Sequence, residues 1–337
     1  MEAQFTGIEI QNFRLYRENQ KASLDGNNAG GNSFNLMVGY EPEILGGVGK
    51  STFLKAVSIC LRGGPYQSIG KWNLVNEKSV DNLSDGERSD GKITVGLSLG
   101  DTSYRFIRKV YTERENGNFN NGIERLSVKQ KKDGSWTRVG DRVKQLLPES
   151  ADEYCLVHPE YVSGFEMTCE HIETLIEKVI ETQETLADHE GESFESGKEE
   201  VWDQVLEDTK TYFERFSTKD ISIVSDQKYS IKFEKQEIKT SYHSEDSANN
   251  LLAFCILLAT GAVGPISMPQ IFDSPFIWLD NETRRKIYEA LPETDNQVTV
   301  IASEGTIPDD LETETTNSYW LKLERGDYSQ TSIESME

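Results

Sequence analysis

No stretch of this chain approaches the roughly 18 consecutive apolar residues of a membrane span. Its opening residues also lack the apolar core of a secretory signal. Both absences favour a cytoplasmic protein with no membrane partner. Cysteine is scarce. Cys60, Cys155, Cys169 and Cys255 are scattered, stand in no metal-ligand spacing and read as reduced thiols. Histidine is equally rare (His158, His171, His189 and His243), so no nuclease metal centre is expected within the chain. Positive charge is short too: 35 Lys and Arg face 58 Asp and Glu, a net charge of −23. Between Glu149 and Glu214 stand 20 acids and 3 bases, a poor surface for a phosphate backbone. The bases gather at Arg105, Arg108 and Lys109 and at Lys129, Lys131, Lys132, Arg138, Arg142 and Lys144. Those are the expected contacts if DNA is touched directly; the alternative is solvated faces of strands and a helix.

Against that background, Gly46-Gly47-Val48-Gly49-Lys50-Ser51-Thr52 stands out. It follows an apolar run, Phe34 to Val38, that reads as a buried strand. It precedes Phe53 to Leu61, whose apolar spacing is helical. Strand, glycine-rich turn and helix form the context of a phosphate-binding loop. Glycines let backbone N–H groups close around phosphates, and the helix N-terminus adds partial positive charge. Gly47, Gly49, Lys50, Ser51 and Thr52 are the expected ATP contacts, Lys50 reaching the β- and γ-phosphates and the Ser51 hydroxyl ligating Mg²⁺. The usual first glycine is displaced: Ile44 holds that position, Gly39 closes the strand, and Tyr40 to Leu45 reads as an insertion.

Alternating apolar residues predict strands over 5–10, 92–99 and 104–110, with loops over 25–32, 81–91 and 116–122. Helices are expected over 169–186 and 199–216, joined by a polar turn as an antiparallel hairpin. Strands follow over 221–224 and 229–233, then a helix over 247–260, a strand over 270–272, a helix over 282–291 and a strand over 297–302. The expected division is an N-terminal lobe over 1–165, a helical hairpin over 166–216 and a C-terminal lobe over 217–337.

A second signal is Gln270-Ile271-Phe272-Asp273, an apolar strand ending in a carboxylate suited to holding Mg²⁺. Asp273-Ser274-Pro275-Phe276 and Leu279-Asp280 follow, and Val298 to Glu304 supplies another buried strand ending in polar residues.

Together these motifs resemble the ABC-type ATPase heads of the RecF/SMC family. The Asp-Ser-Pro…Leu-Asp segment is closest to DndD-like ATPases of DNA-modification and phage-defence systems. The resemblance implies an α/β P-loop NTPase of ABC/SMC-head type: a mixed sheet, an antiparallel β subdomain and a short helical hairpin insertion. Ile8 to Arg14 is similar to the family's opening strand, which implies that Arg14 approaches the nucleotide. Leu156 to Phe165 resembles the Q-loop, although its glutamine is replaced around His158 or Pro159. Asp273 becomes the Walker B carboxylate and Asp280 the D-loop residue. Leu83 to Glu87 looks like the signature motif but follows Lys50 too closely and reads as a strand-connecting turn, so His243 to Asn250 is the expected counterpart. Ser244 and Ser247 would then open a helix against a second subunit's γ-phosphate.

The glutamate that commonly follows the Walker B aspartate is Ser274 here, which cannot accept a proton at neutral pH. Glu304 is the expected substitute base, with Glu160 the other carboxylate nearby in the motif. The implied activity is slow ATP hydrolysis with Mg²⁺, through an ATP-bridged homodimer. It would control an effector protein, a nuclease or another defence or repair subunit. A nucleotide-sensing scaffold with negligible hydrolysis is the alternative. An ABC transporter subunit fits poorly, because the signature lacks its glycines.

Overall fold

The computed structural model describes all residues except 1, 26–32, 41–47, 64–72, 141–142, 159–161, 163–167, 192, 219–221, 226, 235–241, 310, 312–314, 325–328 and 337. The chain forms two compact units, each discontinuous in sequence. One, strand-rich, comprises Ala3–Asn27, Leu36–Lys144 and Thr316–Glu337. The other, helix-rich, comprises Met1–Glu2, Asn28–Asn35 and Gln145–Thr315. The sequence divisions at 165 and 216 both fall inside the helix-rich unit.

The strand-rich unit opens with β1 (Ala3–Gln11), β2 (Gln20–Ser23) and most of β3 (Phe34–Tyr40). Then come helix α1 (Lys50–Arg62), the short α2 (Glu77–Asp81), and strands β4 (Arg88–Leu99), β5 (Thr102–Glu115), β6 (Asn118–Ile123), β7 (Ser127–Lys132) and β8 (Ser135–Val139). An antiparallel sheet runs in the order β2-β1-β4-β5-β7-β8, with β6 also pairing β5. Its alternation sorts the faces: Ile93, Val95, Leu97, Phe106 and Val110 are buried, while Lys92, Lys109 and Arg105 lie on the opposite face. Helix α1 packs on the apolar face through Phe53, Leu54, Val57 and Cys60. The Cys60 thiol lies 3.3 Å from the Phe106 carbonyl, and burial pushes its pKa up to about 12, so it is an inert core group.

The helix-rich unit contains β9 (Leu156–Val157), α3 (Cys169–Glu190), α4 (Lys198–Phe216), β10 (Ser222–Val224), β11 (Lys232–Glu234), α5 (Tyr242–Ala262), β12 (Gln270–Asp273), α6 (Asn281–Ala290) and β13 (Val298–Ser303). Here β12 lies between β13 and β9, parallel to both. Phe34 and Asn35 of β3 belong to this unit, where Asn35 Nδ2 donates to Thr299 Oγ1 at 3.4 Å. Parallel strands covered on both faces read as near-continuous apolar runs, as Val298 to Ala302 does with Thr299 its one polar residue. The buried Gln270 amide ties the layers together. Its Nε2 donates to the Tyr154 and Leu257 carbonyls (2.7 and 2.6 Å) and its Oε1 accepts from Asn296. Phe254 of α5 packs edge-on against Phe272 and Phe276 at 5.0 and 4.9 Å. Such pairs contribute about 1 kcal/mol each beyond their burial.

Strands β14 (Asn317–Glu324) and β15 (Gln330–Ser335) return to the strand-rich unit as an antiparallel hairpin, with β14 beside β3. That hairpin is absent from the sequence expectations. Residues 118–122, expected as loop, form β6, and β4 begins at Arg88 rather than beyond Gly91. The strand expected over 229–233 is instead a turn, with Tyr229 left-handed at φ 58, followed by β11. Leu83 to Glu87 forms the expected connecting turn, closed by Glu87 N donating to Ser84 O at 3.0 Å.

Candidate nucleotide site

Strand β3 ends at Tyr40 and α1 begins at Lys50. Tyr40, expected to open the insertion, is instead the last residue of the strand, and the rest of the insertion (41–45) lies outside the described residues with Gly46 and Gly47. Gly49 precedes α1 with φ 92, a left-handed conformation suited to glycine. It carries no capping side chain, and the first turn of α1 holds no acid. The helix therefore presents its N-terminal dipole and first N–H groups without a competing carboxylate of its own.

A cavity of about 560 Å³ opens at this point, and Arg14, Val48, Gly49, Lys50, Ser51 and Thr52 line it together with Asn73, Asn76 and Glu77. Arg14 reaches it from a tight turn. Phe13 N donates to Tyr16 O and Tyr16 N to Phe13 O (2.7 and 2.8 Å), with Arg14 left-handed at φ 49. Asn76 braces this turn: its Nδ2 donates to the Arg14 carbonyl at 2.5 Å while its Oδ1 caps α2 at Lys78 N. Burial lowers the Arg14 pKa, but a guanidinium remains charged at neutral pH. Among the described residues that line the cavity, Arg14, Lys50 and Glu77 are the charged ones, and they stand beside the start of α1.

Asp273, Ser274, Asp280 and Glu304 lie in the helix-rich unit. Asp273 is buried at the end of β12 and its Oδ1 accepts from Ser274 Oγ at 2.9 Å. Ser274 is itself left-handed at φ 52, and its N–H donates to Ile301 O of β13. The following loop is held by Arg284, whose Nε and Nη2 donate to the Phe276 and Ile277 carbonyls at 2.9 and 3.0 Å. That bracing leaves Ile277 and Trp278 exposed, Trp278 by 61%. Asp280 caps α6, accepting from Thr283 N and Thr283 Oγ1, both at 2.9 Å. Glu304 is exposed and opens a short 3₁₀ turn after β13.

Ser247 and Asp280 meet at one small recess of about 20 Å³, which Thr218 and Thr283 also line. Helix α5 nevertheless begins at Tyr242, so Ser247 stands in its second turn and does not open the helix. Ser244 lies in the first turn. Of the Q-loop expectations, Pro159 and Glu160 lie outside the described residues. Among the described residues no group of three or more His, Cys, Asp or Glu side chains could hold a metal ion.

Sequence reading missed Asn73, Asn76, Glu77 and Ser329 at the cavity. Asn76-Glu77 did carry a signal, a capping residue followed by an acid, but nothing in it pointed to a nucleotide.

No protein-family model matches the sequence, and no curated protein does. Solved structures do. An SMC head bound to the C-winged helix domain of ScpA aligns with 99% of this chain and 98% of its own, at TM-score 0.62 and 13% identity. The SMC head domain from Thermotoga maritima aligns over 99% of both chains at TM-score 0.52 and 11% identity. An SMC head with an extended coiled coil, bound to the C-terminal domain of ScpA and derived from Pyrococcus furiosus, covers 99% and 96% at TM-score 0.56 and 13% identity. The fold is that of an SMC head. Within that SMC-head fold the mixed sheet, the antiparallel β subdomain and the helical pair α3 and α4 are the expected parts. No helix among the described residues is long and apolar enough to cross a membrane.

Proposed function

We propose that this chain binds ATP with Mg²⁺ and hydrolyses it slowly, pairing with a second copy around the nucleotide to control a partner protein. The cavity at the start of α1 carries the reading, because Lys50, Arg14 and an uncapped helix N-terminus converge on it. Lys50 would neutralise the β- and γ-phosphates and Ser51 would ligate the metal, while Asp273 is proposed as the carboxylate of the helix-rich unit suited to Mg²⁺. Mg²⁺, when bound, supplies charge neutralisation on the transferred phosphoryl group. Lys50→Ala tests the reading: calorimetric titration with Mg·ATP should show binding to wild type and a loss of at least about 100-fold in the folded variant. Equal affinities would remove the assignment.

Slow turnover follows from Ser274, which offers no base beside Asp273. Glu304 is the proposed substitute, and its exposure favours weak activation of water. The same observation supports a second reading, a nucleotide sensor with negligible hydrolysis. Single-turnover hydrolysis by wild type against Lys50→Ala separates the two.

A protein partner is supported by the SMC heads bound to ScpA domains. The DndD-like Asp-Ser-Pro segment favours an effector in DNA modification, repair or phage defence. For direct DNA contact the outer face of β5, β7 and β8 is the proposed surface. Arg105, Lys129 and Arg138 stand directly across from one another, and Arg105 stacks on Trp136 at 4.1 Å. Arg108 does not belong to it, being buried with its guanidinium on the Cys60, Leu61 and Glu124 carbonyls. Arg142 lies outside the described residues.

A further inference from the structure

Two hydroxyls that the nucleotide reading does not use close on the phosphate loop. Thr331 Oγ1 of β15 donates to the Val48 carbonyl at 3.2 Å. Tyr16 Oη donates to the Gly49 carbonyl at 3.0 Å. Both residues are buried, at 2% and 0% exposure. The Gly49 oxygen also accepts from Phe53 N at 2.8 Å, so both of its lone pairs are engaged.

Val48–Gly49 and Gly49–Lys50 are the last two peptides before the helix. A trans peptide is planar, and its N–H points opposite its C=O. Holding these two oxygens in the protein therefore fixes the direction in which the Gly49 and Lys50 N–H groups aim. A phosphate needs converging N–H groups, whereas a carbonyl rotated into the cavity would repel it. We propose that Tyr16 and Thr331 are positioning residues that lock the phosphate loop in its anion-binding orientation before nucleotide arrives. The proposal rests on the nucleotide-binding reading above and assigns how that site is preorganised.

Three further observations support it. A Cβ on Gly49 would meet Thr331 Oγ1 at 2.9 Å and Tyr16 Oη at 3.2 Å, so the hydroxyls close on a bare Cα. Thr331 N donates to the Leu15 carbonyl at 2.7 Å, coupling β15 to the turn that carries Tyr16. The same turn carries Arg14 to the cavity. One short segment thus delivers a cation to the ligand and a brace to the loop beneath it.

Thr331→Val and Tyr16→Phe each remove a hydroxyl while keeping shape, and Thr331→Ser restores one. Each full-length variant would be titrated with Mg·ATP and with inorganic tripolyphosphate beside wild type and Lys50→Ala, with thermal melts taken without nucleotide. Each hydroxyl deletion should weaken both ligands about tenfold, and Thr331→Ser should stay within about twofold of wild type. Wild-type affinity in Thr331→Val and Tyr16→Phe, alongside a disabled Lys50→Ala, would overturn the proposal and leave the nucleotide reading intact. A lowered melting temperature with unchanged affinity would overturn it equally, since the hydroxyls would then serve stability alone. A wild-type chain that binds neither ligand would sink the nucleotide reading and this proposal with it.

Discussion

The aliphatic stem of Lys50 lies against Gly39, so closely that a Cβ on that glycine would meet Lys50 Cδ at 3.0 Å and Val48 Cγ2 at 2.6 Å. Gly39→Val should therefore displace the lysine without touching its charge. ATP affinity should fall toward that of Lys50→Ala, by at least about tenfold. Titration of the folded variant checks this, and an unaffected affinity would show that Lys50 does not depend on the glycine.

Ser274 combines a strained backbone with a hydrogen bond to Asp273. Ser274→Glu should cost about 1 kcal/mol of stability, the weight of the lost hydroxyl bond. The new carboxylate should raise single-turnover hydrolysis above a wild-type rate below about 10 per second. Glu304→Gln should lower the wild-type rate. Rapid-quench measurements on the three proteins decide, and rates that do not differ would remove both residues from water activation.

Asp208 on α4 has its pKa raised to about 6, first by burial and then by Asp295 and Glu207. The native state therefore holds an extra proton between about pH 4 and pH 6, and stability falls as pH rises through that window. Asp208→Asn should stabilise the protein by about 1 kcal/mol at pH 7.5, a figure discounted because the group is only partly buried. The advantage should vanish near pH 4. Denaturant unfolding at both values tests the sign.

Trp278 stands 61% exposed, two residues before Asp280. If the loop after Asp273 faces a second copy across ATP, Trp278→Ala should weaken nucleotide-dependent dimerisation about tenfold. Light scattering with a non-hydrolysable analogue and Mg²⁺ is the measurement. Dimerisation equal to wild type would move the interface elsewhere.

Lys129→Ala with Arg138→Ala should reduce affinity for double-stranded DNA uniformly across sequences. The slope of log affinity against log salt should shrink by about 2. An unchanged slope in fluorescence anisotropy would clear this face of DNA contact.

The parts legible in the sequence were those with local chemistry. Val38 to Lys50 carries its glycines and lysine in one short window, and Gln270 to Asp273 announces a buried strand by composition. β6 was illegible because asparagine and glycine are depleted in strands. What admits Gly122 there is the Tyr111 ring, which covers it so closely that a Cβ would meet Tyr111 Cζ at 2.0 Å. The hairpin β14–β15 was missed because Leu321 and Thr331 are the only buried residues of its two strands, too few to set a period of two. Asn76 and Thr331 reach the cavity or its loop by tertiary contact, and no spacing in the chain encodes such a meeting.

Thr331 reaches a carbonyl 283 positions earlier in the chain. On the ribosome, the phosphate loop emerges long before the strand that steadies it. Closing so large a loop is entropically costly, and contacts of this range form late. The nucleotide pocket should consequently mature only after residue 331 has left the exit tunnel, when the two ends of the strand-rich unit can join. A nascent chain stalled upstream would carry the whole glycine-lysine motif and still hold ATP poorly. Competence to bind would then certify that synthesis had run to the end of that hairpin.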